Sequence, residues 1–85
     1  MEESELISGL RAGDRQAFAE LVRGYSKRLY RVALRLSGNP SDAEEILQET
    51  FMQLHRKLEG FRGEAKLSTW LYRIVVNAAL MQRRK

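Results

Sequence analysis

Apolar residues recur along this chain at steps of three and four, and glycine-centred breaks divide them into segments, so the pattern predicts helices throughout. A first helix is expected from Glu3 to Arg11, with Ala12-Gly13 as its C-terminal stop. Asp14 then suits the N-cap of a long second helix running to about Ser37. Its positions Phe18, Leu21, Val22, Tyr25, Leu29, Val32, Ala33 and Leu36 form one stripe, which predicts the core-facing side. Arg23, Lys27, Arg31 and Arg35 lie four apart on another face and make a basic ridge.

Gly38-Asn39-Pro40 breaks the second helix, and Ser41-Asp42-Ala43-Glu44 reads as an S-x-x-E capping box for a third. Ala43, Ile46, Leu47, Phe51, Leu54 and Leu58 supply its core stripe, and Gly60 ends it. The opposite face carries Glu45, Gln48, Glu49, Met52 and Arg56, a methionine set among charges. Either a partner covers Met52 or it is one of the isolated apolar residues that surfaces commonly hold. Ser68 suits the N-cap of a fourth helix in which Trp70, Leu71, Ile74, Val75, Ala78 and Met81 face inward. Arg73, Asn77 and Arg84 face outward, and Val76 and Leu80 fall near the same side, where a partner or a further segment of chain would cover them. The expected fold is all-α, a compact bundle of three to four helices in one domain over residues 1–85.

Composition narrows the function. Without cysteine the chain has no disulfide or thiolate metal site, and a single histidine cannot anchor zinc. His55 has no evident carboxylate to orient it, no phosphate-binding glycine loop is present, and catalysis is not expected. No cofactor is implied. No apolar run approaches the roughly 20 residues of a membrane span, and the acidic start does not resemble a signal peptide, so a soluble, cytoplasmic protein with no membrane partner is expected. The net charge of +4 conceals strong blocks, because residues 21–37 hold five bases and no acid while residues 38–60 are net acidic. The basic residues of the last turn, Arg83, Arg84 and Lys85, suit both the helix dipole and a polyanionic partner. Between helices three and four, a polar loop with Gly63 offers hydrogen-bonding groups on irregular backbone, as a pocket for an unpaired base requires.

The tract DAEEILQETFMQLHRKLEGFRGEAKLSTWLYRIVVNAAL resembles region 2 of the extracytoplasmic-function (ECF) sigma factors, bacterial initiation factors of RNA polymerase. Upstream, Gly13, Asp14, Ala17, Phe18, Leu21 and Val22 resemble the family's G-D-x-x-A-F-x-x-L-V entry. The resemblance implies that the face of Glu45, Gln48, Glu49, Met52 and Arg56 docks on the clamp helices of the polymerase beta-prime subunit. It also implies that the loop Phe61, Arg62, Gly63, Glu64, Ala65, Lys66, Leu67, Ser68, Thr69 captures a flipped non-template base of the minus-ten promoter element, with Arg73 and Asn77 along the same strand. Lys66 and Leu67 depart from the family pattern. Such factors often have an anti-sigma partner and carry a second, helix-turn-helix domain (region 4), which this chain does not include. The rival reading is a stand-alone helical regulator that inserts helix four into duplex DNA.

Overall fold

A computed structural model describes residues 2–61 and 66–83 of the chain. They form α1 (Glu3–Arg11), α2 (Arg15–Ser37), α3 (Pro40–Lys57), a 3-10 turn (Leu58–Gly60) and α4 (Leu67–Arg83). The 23 residues of α2 rise about 35 Å at 1.5 Å each, which matches the 34 Å long axis of the bundle.

The joints form where the local chemistry demands them. Gly13 adopts φ 77°, the left-handed conformation that only glycine takes without cost, and closes α1. Asp14 then accepts from the backbone N–H of Gln16 at 2.9 Å and starts α2. Gly38 repeats the device with φ 78°, its N–H donating to the Leu34 carbonyl at 2.8 Å. The capping box expected at Ser41 is displaced by two residues. Asn39 is the N-cap and Pro40 occupies the first helical position, where its missing N–H costs nothing. Asn39 accepts from the Asp42 N–H at 2.9 Å, and its own amide donates to the Asp42 carboxylate at 2.8 Å. α4 likewise begins earlier than expected, at Leu67, so Ser68 lies inside the first turn and is not the cap.

Small buried residues let the helices approach. Ala17, Ala33, Ala43, Ala78 and Ala79 sit in the core with Leu21, Leu29, Ile46, Leu54, Leu67, Leu71, Ile74 and Val75. α3 packs against both α2 and α4, which also touch each other, and α1 crosses the N-terminal part of α2. Two polar residues enter this core. Thr50 satisfies its hydroxyl by donating to the Ile46 carbonyl at 2.7 Å, and Gln53 lies nearby under the α3–α4 surface.

Two expected core positions are exposed. Leu36, in the last turn of α2, is 40% exposed at the rim of a cleft that it shares with Ile46 and Ala79. Met81 is 50% exposed, since the buried side of α4 continues through Ala78, Ala79 and the half-buried Gln82. Trp70 is half-buried against the core instead of enclosed within it.

At the α1–α2 crossing, a Cβ on Gly9 would fall 2.7 Å from the Ala17 methyl, closer than atoms can pack. A Cβ on Gly24, in the exposed middle of α2, would meet nothing within 4 Å. Gly9→Ala should therefore destabilise by about 1–2 kcal/mol net of its improved helix propensity, and Gly24→Ala should stabilise by about 0.5–1 kcal/mol. In thermal unfolding the two variants should differ by roughly 10 °C or more. Equal melting temperatures would show that α1 is not seated on α2.

Candidate functional site: two faces of the α3–α4 pair

The surface formed by α3 and α4 carries two adjoining grooves. The first, of about 290 Å³, runs between Glu45, Gln48, Glu49 and Met52 of α3 and Ala78, Met81 and Gln82 of α4. Helical spacing brings the α3 residues together, as the sequence predicted, and Met52 is 57% exposed at the surface. Glu45 is engaged from across the groove by the Gln82 amide, which also donates to Asp42 at 3.3 Å. The groove thus joins a carboxylate rim to two thioethers.

The second groove, of about 460 Å³, is lined by Gln53, Arg56, Lys57, Asn77, Leu80 and Met81. Arg56 faces this side, although the sequence grouped it with the acidic face, and it reaches back to Glu49 at 3.0 Å. That pair is exposed and adds at most about 1 kcal/mol, so either partner is free to exchange it for a ligand. Gln53 is the residue sequence reasoning missed. It is 5% exposed, and its amide donates to the Met81 thioether at 3.1 Å and, at the limit of bonding distance, to Glu49 at 3.4 Å. Its Oε1 has no hydrogen-bond partner among the described residues. A buried amide oxygen left unpaired carries a penalty of about 1–3 kcal/mol. The available signal was a polar residue at the i+3 step from Thr50, on a stripe where apolar residues are expected.

The α3–α4 connection is fixed at both ends. Phe61 is buried and stacks on Trp70, with ring centroids 4.4 Å apart and planes inclined by 27°. Leu67 is fully buried at the start of α4. Their side chains therefore hold the connection to the core. Lys66, Ser68 and Thr69 are exposed, as are Arg73 and Asn77 farther along α4. Arg62, Gly63, Glu64 and Ala65 lie outside the described residues. Among the described residues no group of three or more acids and histidines could hold a metal ion, and no helix is long and apolar enough to cross a membrane.

Comparison with known proteins identifies the family. The family model for Sigma-70 region 2 matches residues 21–85. The ECF RNA polymerase sigma factor SigM of Mycobacterium tuberculosis is 41% identical over 83 residues, spanning 98% of this chain and 42% of the relative. The ECF factor SigW of Bacillus subtilis is 38% identical over 79 residues, 93% of this chain and 42% of its own length. The NMR structure of an engineered region 2 of sigmaE in complex with GTAAAA superposes with a TM-score of 0.87 at 33% identity, covering 95% of this chain and 84% of that one. The chain belongs to the Sigma-70 region 2 family, with relatives among the ECF sigma factors. It spans less than half the length of these curated relatives.

The stacked pair yields a direct test. Phe61→Ala and Trp70→Ala should each destabilise the domain, and a double-mutant cycle should return a coupling of about 0.5–1.5 kcal/mol for the ring pair. Additive losses in denaturant titrations would mean that the two rings reach the core independently and do not hold the connection jointly.

Proposed function

We propose that this chain is the region 2 domain of an ECF sigma factor, and that its two faces divide the work of promoter opening. The face of Glu45, Gln48, Glu49 and Met52 docks on the clamp helices of the polymerase beta-prime subunit. The loop between Phe61 and Thr69 receives a flipped non-template base of the minus-ten element, and Arg73 and Asn77 follow the same strand. The observation that carries this reading is the pair of anchored flanks, in which Phe61 stacks on Trp70 and Leu67 is buried at the start of the helix that presents Arg73 and Asn77. Support comes from the relative of the same fold whose complex contains GTAAAA.

The chemistry of each face suits its assigned partner. A carboxylate rim around two exposed methionines fits a helical surface bearing basic and apolar side chains, since thioethers adapt to irregular partners and the acids select charge. On the other face, a flipped base needs donors and acceptors for its exposed edge and an apolar surface beside it. In the 61–69 loop the exposed Lys66, Ser68 and Thr69 offer donors and acceptors, and farther along α4 Asn77 serves the same strand. Arg56 and Lys57 at the rim can neutralise backbone phosphates without reading sequence. No step of this scheme is enzymatic. Action in the cytoplasm, sites beyond region 2 for the minus-thirty-five element and control by an anti-sigma factor belong to the same proposal.

Fluorescence titration should show tighter binding to single-stranded non-template minus-ten DNA than to the matched duplex, with log affinity falling by about 0.7 per phosphate contact per decade of salt. Tighter duplex binding would favour a helix-in-groove regulator and overturn the reading. Charge reversal by Glu45→Lys and Glu49→Lys should weaken binding to the beta-prime clamp coiled coil at least about tenfold, leaving single-strand binding in place. An unchanged pull-down of the coiled coil would contradict the docking assignment. Exchanging residues 64–66, and leaving the buried Leu67 in place, should change which base is preferred while the helical circular-dichroism signal stays the same. Parallel losses of folding and binding would instead make that segment structural.

A further inference from the structure

The basic ridge of α2 is used by neither groove. Arg23, Lys27, Arg31 and Arg35 are all exposed, four residues apart on one side of the helix. Twelve residues of helix set the ends of the ridge about 18 Å apart, the length of roughly five base-pair steps of duplex DNA. Arg23 is held by Glu20 at 2.6 Å. Lys27, Arg31 and Arg35 have no carboxylate within ion-pair distance among the described residues, where the ion pairs are Arg23–Glu20 and Arg56–Glu49. Arg28 lies beside the ridge but is engaged locally, its guanidinium 4.5 Å from the Tyr25 ring centre. Three unpaired cations therefore point into solvent at a regular spacing.

Two observations favour a nucleic-acid backbone over a protein as the partner. A protein interface needs apolar or aromatic anchors at its centre, and among the described residues no large hydrophobic side chain is exposed between Arg23 and Arg35. Phosphate binding needs only positive charge at reach, which the ridge supplies. The ridge also leads toward α4. Leu36 and Ser37, directly after Arg35, line the same cleft of about 190 Å³ as Arg83 at the end of α4. The C-terminal end of the ridge thus lies near the end of α4, across a cleft that Asp42 also lines.

We propose that the ridge formed by Lys27, Arg31 and Arg35 is a second nucleic-acid contact, which holds the phosphate backbone of double-stranded DNA adjoining the single-stranded segment bound at α4. The placement beside a melted segment rests on the function proposed above; the phosphate contact itself rests on the ridge. The duplex tract lies along α2 with its phosphates opposite the three free cations. The contact is independent of base sequence, and it adds affinity only when a duplex and a single strand are joined in one molecule.

The test compares the unaltered protein with the triple variant Lys27→Gln, Arg31→Gln, Arg35→Gln on two probes across a salt series. One probe is the single-stranded minus-ten oligonucleotide, and the other is a fork in which the same strand continues into duplex. The unaltered protein should bind the fork more tightly than the single strand and with a steeper salt slope. Loss of three phosphate contacts should reduce the fork slope by about 2.7, so that between 50 and 200 mM salt the unaltered protein loses roughly 40-fold more affinity than the variant. Single-strand binding should be the same for both. The conservative variant Arg31→Lys, Arg35→Lys should retain the fork slope, since point charge is all that the contact requires. Identical fork slopes for the unaltered protein and the triple variant would overturn the proposal. In that case, binding of polyglutamate to the unaltered protein and not to the triple variant would assign the ridge to an acidic protein. If neither protein binds the single strand while the fork slope still falls in the variant, the strand-capture reading fails and the ridge contact stands.

Discussion

The stacking of Phe61 on Trp70 is the constraint on which the rest of the molecule depends. It seals the C-terminal end of α3 to the first turn of α4, and with the buried Leu67 it fixes where α4 starts and which way it points. The angle of α4 also decides which residues face outward. Because α4 buries Leu71, Ile74, Val75, Ala78 and Ala79, it must present Arg73, Asn77 and Leu80 to solvent.

The two grooves share a wall. Gln53 donates toward Glu49 and to Met81, and Glu49 also receives Arg56, so the acidic face and the Asn77 groove are linked by a short chain of weak contacts. No member of that chain is strongly held, since the ion pair is exposed and one bond is to sulfur. Each can be replaced by a partner's groups at little cost, a property that suits a docking surface better than a rigid core. The helices beneath are held differently, by close approach at Ala17, Ala33, Ala43 and Ala78. Adaptable side chains therefore stand on a firmly packed frame.

Much of this was legible in the sequence. The four helices, the glycine joints at Gly13 and Gly38 and the face of Glu45, Gln48, Glu49 and Met52 all follow from spacing and from the conformational freedom of glycine. Misplaced features arose where two local signals competed. At the start of α3 both Asn39 and Ser41 are good caps, and the proline between them favours Asn39 because it fits best at the first helical position. At the start of α4 the hydroxyl of Ser68 suggested a cap, but burial of Leu67 draws two more residues into the helix. Periodicity also could not foresee which stripe positions would come to lie at the rim of a groove, as at Leu36 and Met81, or that a glutamine would be buried with an unpaired oxygen, as at Gln53. Those properties belong to the packing of several helices together. The family itself was legible because its motif residues are spread over three helices and their connections.

The account's central claim is that one small bundle presents two separate binding faces across α3 and α4. Amide chemical-shift mapping of the labelled domain tests it most directly, with a single-stranded minus-ten oligonucleotide in one titration and the beta-prime clamp coiled coil in the other. The oligonucleotide should move resonances of residues 61–69, Arg73 and Asn77, and the coiled coil should move those from Glu45 to Met52. If both ligands perturbed the same residues, or if neither perturbed the α3–α4 surface, the division into two faces would be contradicted.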